Sequence, residues 1–423
     1  MKFRVFSLGC KVNNYECAAL SSLMIKEGFI EDISSTPDII IINTCSVTAT
    51  ADQKSRQHIR KFMRLYPRAI VVVMGCYAQG NKAFIVDEIK PTILVGTSHR
   101  NEIPSLINQY LVDHQNIVKI DDNPRSFDYE EFGLTSFSEN TRAYLKIEDG
   151  CNNFCTYCII PYRRGKLRSR LPDHVIKEAQ YLVSQGYQEI VLSGIHVGGY
   201  GQDLKNINFS DLVEQLLNIP HLSSLRISSI EESEIDDKLI NLLRDRPNLA
   251  KHLHIPLQSG SASVLKRMGR KYSPDAFLAK IQKIENIIPS IALSTDVIVG
   301  FPQESEEEFN ETFQFIQTCG FHQLHVFPYS ARGGTPAARM NGQVSPNIKS
   351  ERVNQLMNLS QKLWDEYTSR FVNQKVTILV EKYSHGLNIG HTSNYIEVGV
   401  PSNEGMVGKQ IEIILKKDMI ISK

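Results

Sequence analysis

Three cysteines within eight residues, Cys151-Asn152-Asn153-Phe154-Cys155-Thr156-Tyr157-Cys158, are the strongest chemical signal in the chain. The C-x3-C-x2-C run follows a strand-like stretch, Ala143 to Ile147, so one loop at a strand end can aim three sulfurs at a point. A structural zinc ion asks for four protein ligands. A [4Fe–4S] cluster held by three thiolates keeps one iron open for a small ligand. No fourth Cys or suitably spaced His follows between Ile159 and Arg170, so the zinc reading needs a distant fourth ligand. Three more thiols, Cys10, Cys45 and Cys76, are far apart in sequence but alike in setting.

That setting requires particular elements. Lys2 to Leu8 alternates into Gly9-Cys10, Asp38 to Asn43 is a buried-strand run before Thr44-Cys45, and Ala69 to Met74 leads into Gly75-Cys76. Helix-like stretches lie between them, the clearest from Asn13 to Lys26 with a stop at Gly28. Such alternation predicts a parallel sheet, whose strand C-terminal ends share the edge where ligands bind. Three thiols from three strands can converge there. Cys17 and Cys319 lack that placement and read as buried core thiols.

The chain has 423 residues, 42% hydrophobic and 22% charged, enough for two or three domains with ample core. No apolar run approaches the roughly 18 residues of a membrane span, and the N-terminus shows no signal-peptide core, so a cytoplasmic location without membrane attachment is expected. Thiols stay reduced there, which favours metal ligands or buried thiols over disulfides for the eight Cys. A formal net charge of +1 leaves nucleic-acid binding to local patches. Lys54, Arg56, Arg60, Lys61, Arg64 and Arg68 form one, fitting a solvated face and an RNA-backbone stripe about equally. Arg163, Arg164, Lys166, Arg168 and Arg170 form another, directly after the Cys151 loop, and are expected to meet phosphates.

From Asp121 to Asn140 the periodicity lapses into an acidic, aromatic stretch that reads as a linker. Six strand-like runs follow, at Ala143–Ile147, Glu189–Leu192, Ser224–Ile227, Lys251–Ile255, Ala292–Ile298 and His322–Phe327, separated by helices. Six βα units fall short of a closed eight-unit barrel and predict an open, partial one. Gly194, His196, Ser229, Glu231, Gln258, Asp296 and Gly300 cluster just beyond four successive strand ends. Glycine there admits close backbone approach, and a carboxylate can take a hydroxyl or an ammonium. After a long helix from Ser345 to about Arg370, five short alternating runs, the last at Met419–Ile421, predict a small all-β barrel bearing Lys375, Lys382, Lys409, Lys416 and Lys417. The class is α/β: an N-terminal parallel α/β domain at 1–120, a linker at 121–140, a partial (β/α)6 barrel at 141–370 and a β-barrel at 371–423.

With these motifs in view, nearly the whole chain resembles the methylthiotransferase family of radical S-adenosylmethionine (SAM) enzymes. The likeness rests on Gly9-Cys10-Lys11-Val12-Asn13, Asn43-Thr44-Cys45-Ser46-Val47-Thr48, Gly75-Cys76-Tyr77-Ala78-Gln79, Asp149-Gly150-Cys151 through Pro161-Tyr162-Arg163-Arg164-Gly165, Thr295 to Pro302, and Phe327 to Arg332. Gln303, where the family commonly has Gly, and Glu232, where Pro is frequent, depart from it. The resemblance implies two [4Fe–4S] clusters. One, on Cys151, Cys155 and Cys158, cleaves SAM; an auxiliary one, on Cys10, Cys45 and Cys76, holds the sulfur to be donated. It implies SAM contacts from Tyr157 and the seven strand-end residues, a C-terminal TRAM barrel, an external electron donor, and a tRNA anticodon stem-loop as partner. Gly-Cys-Lys-Val-Asn resembles the branch that modifies threonylcarbamoyladenosine at position 37. Isopentenyladenosine and a ribosomal-protein aspartate are the substrates of sister branches, and a zinc-bearing RNA-binding protein without catalysis is the rival of another class. A substrate carboxylate would need a cation, with Lys11 and Arg332 the candidates.

Overall fold

The computed structural model describes residues 1–137 and 141–421, so the last three linker positions and the final two residues of the expected β-barrel lie outside the described residues. Strands β1 (Lys2–Ser7), β2 (Ile30–Glu31), β3 (Ile39–Thr44), β4 (Ile70–Gly75), β5 (Ile93–Val95) and β6 (Ile117–Lys119) form one sheet in the order β2-β1-β3-β4-β5-β6. Every pairing is parallel. Helices α1 (Lys11–Lys26) and α2 (Ala49–Leu65) cover opposite faces. The period of two along the strands explains how: Ile39, Ile41, Val72 and Met74 meet Leu20 and Met24 of α1, while Ile40, Ile42, Val71 and Val73 meet Ile59 and Phe62 of α2. Thr48 caps α2, its hydroxyl accepting from the Ala51 amide at 3.1 Å. The chain leaves β1 over one face and β3 over the other, which puts the sheet's switch point, and the crevice it opens, between β1 and β3.

The central part holds β7 (Arg142–Lys146), β8 (Glu148–Asp149), β9 (Arg168–Ser169), β10 (Glu189–Ser193), β11 (Ser224–Ile227), β12 (His252–His254), β13 (Ala292–Val299) and β14 (Gln323–Pro328). All six expected strands are present. They pair in parallel as β7-β10-β11 and β12-β13-β14, and the two sheets are tied by bridges Leu225–Leu249 and Ser229–His254. The short antiparallel pair β8-β9 brackets the Cys151 loop. Outer helices bury Leu182, Leu216, Leu243, Ile284, Phe309 and Ile316 in one core with Leu145, Leu192, Ile227, Leu253 and Val297. Cys319 is in this core and Cys17 in the N-terminal one, as expected of inert thiols.

After the helix Pro346–Ser369, β15 (Lys375–Ser384), β16 (Leu387–Thr392), β17 (Glu397–Pro401) and β18 (Gln410–Ile414) make an antiparallel sheet, order β17-β16-β15-β18. A register shift between Val380 and Lys382 curls it. The fifth expected strand shrinks to one bridge, Val398–Ile420, because Lys417–Met419 turns as a 3-10 helix. The turn after β16 sits against the starting ends of the central strands. There Tyr395 stacks between His252 (4.5 Å) and His391 (4.7 Å), and Arg226 lies 4.8 Å from its ring centre.

Residues 121–137 are irregular but not a loose tether. Phe132 and Phe137 are buried, Glu130 bonds Arg100 at 2.7 Å, and Glu131 bonds Arg170 at 2.8 Å. No helix among the described residues is long and apolar enough to cross a membrane.

Candidate functional site

Adjacent parallel strands set the first group of thiols. Cys10 follows β1, Cys45 follows β3 and Cys76 follows β4, three neighbours in the sheet, with Thr44 in register with Gly75. Gly9 has φ +110°, and a side chain there would run into Cys45, so glycine is needed to bring the two loops together. The Asn13 amide ties them further, donating to the Leu8 carbonyl at 2.6 Å and the Thr44 carbonyl at 3.3 Å.

The second group is folded by its own loop. The Cys158 amide donates to the Cys155 carbonyl at 2.9 Å and the Asn153 amide to Cys151 Sγ at 3.4 Å. Each group also meets one arginine: Arg164 Nε donates to Cys76 Sγ at 3.1 Å, and Arg270 Nη1 to Cys155 Sγ at 3.5 Å. Burial pushes the Cys76 thiol up to about 11 and Cys158 up to about 12, and raises Cys45 as well. Sulfurs so desolvated stay protonated unless a metal takes the proton's place. The donor chemistry of both groups therefore fits iron–sulfur ligation.

A cavity of about 270 Å³ opens beside Cys158 and reaches the loop after Cys45. Cys158, Tyr157 and Ile160 line one side, Gln258, Asp296 and Ile298 a second, and Val47 and Thr48, just after Cys45, a third. Phe327 and Arg332 close the rim. Asp296 Oδ2 is held 3.2 Å from His254 Nε2. Gln258 has φ +64°, with its backbone amide donating to the Asp296 carbonyl at 2.8 Å and its carbonyl accepting from the Ile298 amide at 2.9 Å. Both bonds fasten it to the sheet.

The residues expected to share one pocket do not: some line one cavity, some another, and Gly194, Ser229 and Gly300 line neither. Tyr157, Gln258 and Asp296 line the cavity just described. His196 and Glu231 line another, of about 300 Å³, across the loop with Cys155, Asn152 and Arg270. His196 Nε2 is 2.5 Å from Glu234, and Glu231 pairs with Arg270. Gly194 and Gly300 serve packing: a side chain at Gly194 would meet the Glu148 carboxyl, and one at Gly300 the Lys349 stem. Ser229 is exposed and its backbone bridges to His254. Gln303 stands at φ +66°, a backbone form suited to glycine, and is exposed outside the cavity.

The basic run after the loop does not face outward as expected. Arg164 is 1% exposed, with Nη1 2.7 Å from Glu16 and 3.1 Å from Asp149. Lys146 bridges the same two carboxylates at 2.9 and 2.6 Å, and Arg100 pairs with Glu16. Arg168 is buried on the Pro124 and Arg164 carbonyls, and Arg170 on Glu178 and Glu131. Desolvation of a carboxylate is repaid only by such pairing, which draws these cations inward. Arg163 is half-buried against Gly80, and Lys166 alone of the five is fully exposed. Arg332 is also spoken for: its Nη2 donates to Ser46 at 3.0 Å and Asp52 at 2.7 Å. Sequence reading missed Arg270, Asp52, Glu16 and Glu148, since only the tertiary fold brings them to the thiols.

Comparison with known proteins follows the same division. Residues 145–316 match the radical SAM superfamily, and residues 2–96 match the uncharacterized protein family UPF0004. The threonylcarbamoyladenosine tRNA methylthiotransferase MtaB of Bacillus subtilis is 46% identical over 418 residues, 97% of this chain and 93% of that protein. Its namesake from Aquifex aeolicus is 34% identical over 98% of this chain and 100% of that protein. The tRNA-2-methylthio-N6-dimethylallyladenosine synthase of Acetivibrio thermocellus is 32% identical over 96% of this chain and 87% of that protein. Among solved structures, the radical SAM methyltransferase TsrM of Kitasatospora setae superposes with a TM-score of 0.61 at 14% identity, covering 80% of this chain and 74% of that one. That likeness is one of fold.

Proposed function

The chain belongs to the radical-SAM methylthiotransferase family, and on that premise we propose that it places a methylthio group on C2 of N6-threonylcarbamoyladenosine at position 37 of tRNA, next to the anticodon. The observation that carries this reading is the cavity lined on one side by Cys158 and on another by Val47 and Thr48, from the loop that carries Cys45. Replacing a hydrogen on an unactivated ring carbon requires hydrogen removal and sulfur delivery at one atom, so both must face one chamber. When bound, a cluster on Cys151, Cys155 and Cys158 supplies the electron that cleaves SAM, and one on Cys10, Cys45 and Cys76 holds the sulfur to be transferred.

This chain's own residues bind, orient and exclude water. Gln258 and Asp296 offer an amide and a carboxylate to hydroxyl or ammonium groups, with His254 fixing the carboxylate. Ile160, Ile298 and Phe327 supply an apolar wall against which a flipped base can stack. Arg270 and Arg164 hold the sulfur ligands from behind, Glu231 acts through Arg270, and His196 is held by Glu234 beside the Cys151 loop. Lys11, directly after Cys10, keeps solvent-accessible surface in a protein-crowded setting. Burial pushes its pKa down, as do Arg226 and Arg142, while Glu189 and Asp296 oppose them. With Arg332 committed to Asp52, Lys11 is the cation we assign to the threonylcarbamoyl carboxylate. Around this chamber we read an N-terminal domain at 1–120, a partial barrel at 141–370 and a TRAM barrel from 371, with an external one-electron donor.

The test is mass spectrometry of tRNA nucleosides from a strain lacking this protein. The methylthio group is expected to vanish from the threonylcarbamoyl nucleoside and persist on the isopentenyl one. Loss on the isopentenyl nucleoside alone, or intact levels of both, would refute the substrate.

A further inference from the structure

The two basic stretches of this chain behave in opposite ways. Cations at 164, 168 and 170 turn inward onto carboxylates, whereas those of α2 find none. Lys54, Arg60, Lys61 and Arg64 are exposed, as is Arg68 just beyond the helix, and Arg56 is half-buried. Among the described residues none of the six forms an ion pair with a carboxylate. The one acid in α2, Asp52, is taken by Ser46 and Arg332. Like charges four residues apart on a helix repel, so a face kept only for solubility would mix signs. With a net charge of only +1 overall, such an excess is a local feature rather than a background.

Its placement adds direction. Thr48, Asp52, Arg56, Arg60 and Arg64 are spaced by four and make one ridge of the helix surface. The ridge begins inside the site: Thr48 lines the cavity, and Asp52 holds the cavity residue Arg332. The Ala49 amide donates to Ser330 of the opposite rim at 3.4 Å, so this end of α2 is fastened to the mouth. From there the ridge runs outward for about 24 Å, at about 1.5 Å per residue. We propose that α2 is the rail on which the sugar–phosphate backbone of the tRNA lies while its target base occupies the cavity. This rests on tRNA being the substrate; charge complementarity and continuity with the cavity select a polyanion leading away from a flipped base.

The experiment uses full-length protein and a tRNA carrying threonylcarbamoyladenosine without the methylthio group, with binding followed by fluorescence anisotropy across salt concentrations. Arg60→Gln with Arg64→Gln removes two exposed cations, and the slope of log K against log salt is expected to fall by about 1.4 to 1.8. Arg244→Gln with Lys283→Gln removes two exposed cations that already sit on Asp245 and Asp237, and the slope should hold. An unchanged slope for the α2 variant, with wild-type binding intact, overturns the rail and leaves the ridge to an acidic protein. An equal loss in the control pair overturns it too. Wild-type protein without salt-dependent tRNA binding removes the partner itself, and the proposed function fails with it.

Discussion

Replacing Arg164 by Met tests whether the basic run is structural or RNA-binding. The guanidinium is fully buried and donates to Glu16 at 2.7 and 3.3 Å, to both Asp149 oxygens at 3.1 Å, to Asn13 at 3.2 Å and to Cys76. Removing one partner of a buried ion pair costs about 3–5 kcal/mol, because the other is left desolvated and short of donors. Here Lys146 still reaches both carboxylates and Arg100 still reaches Glu16, which places the loss near the low end, about 3 kcal/mol. For a cooperative unit of roughly 150–250 residues that is a drop in Tm of about 6–12 °C. Circular dichroism melts at one fixed scan rate, on chelated apoprotein so that cluster retention does not enter, give the comparison. Adding Glu16→Gln removes a carboxylate left short of donors, so the double variant should melt above the sum of the single losses, a coupling of about 1–3 kcal/mol. If Arg164→Met melts with the wild type while its tRNA salt slope falls by about 0.7–0.9, the side chain meets phosphate and the buried assignment is wrong.

The remaining predictions concern pH and the separation of the thiol groups. Burial pushes the Glu148 carboxyl up to about 8, so the native state keeps a proton that the unfolded chain gives up near 4.5. The stability this group contributes is full below that lower value and is lost as pH rises through about 8, on the order of 5 kcal/mol in all. Glu148→Gln should flatten the pH dependence of the urea midpoint between pH 5 and 8.5, and an unchanged slope would sink the assignment. Cys151→Ala should abolish SAM cleavage, while Cys45→Ala should keep it and lose methylthio insertion. A folded Cys45→Ala protein making normal product would show that the N-terminal thiols do not carry the sulfur.

Local signals in the chain sufficed for the elements and for the position of six thiols at strand ends and in one loop. Three strand runs lead into a Cys, and a parallel sheet gathers such strand C-terminal ends on one edge, which needs no long-range information to be recognised. The C-x3-C-x2-C loop is local by nature, as are the apolar periods that made every central strand legible. Even Gly9 could be suspected from its neighbour, although the collision that demands it, with Cys45, is tertiary.

What only the tertiary structure decided was where each charge goes. Arg164 and Arg60 are the same residue type in similarly basic runs, and sequence gives both an RNA-facing reading. One lies opposite Glu16, 148 positions away, and the other, among the described residues, forms no ion pair with a carboxylate. A buried carboxylate draws in whichever cation the fold brings within reach, because ions taken out of water are tolerable only in pairs. Sequence neighbours cannot reveal that partner. The same holds for the strand-end residues, some in one cavity, some in another and some in neither: all lie at the expected edge, but the Cys151 loop passes between them, and its path depends on packing against Met268 and Gly269 from the far side. The placement of the thiols was therefore written locally, and which cations stay on the surface was decided only after the interior had claimed its own.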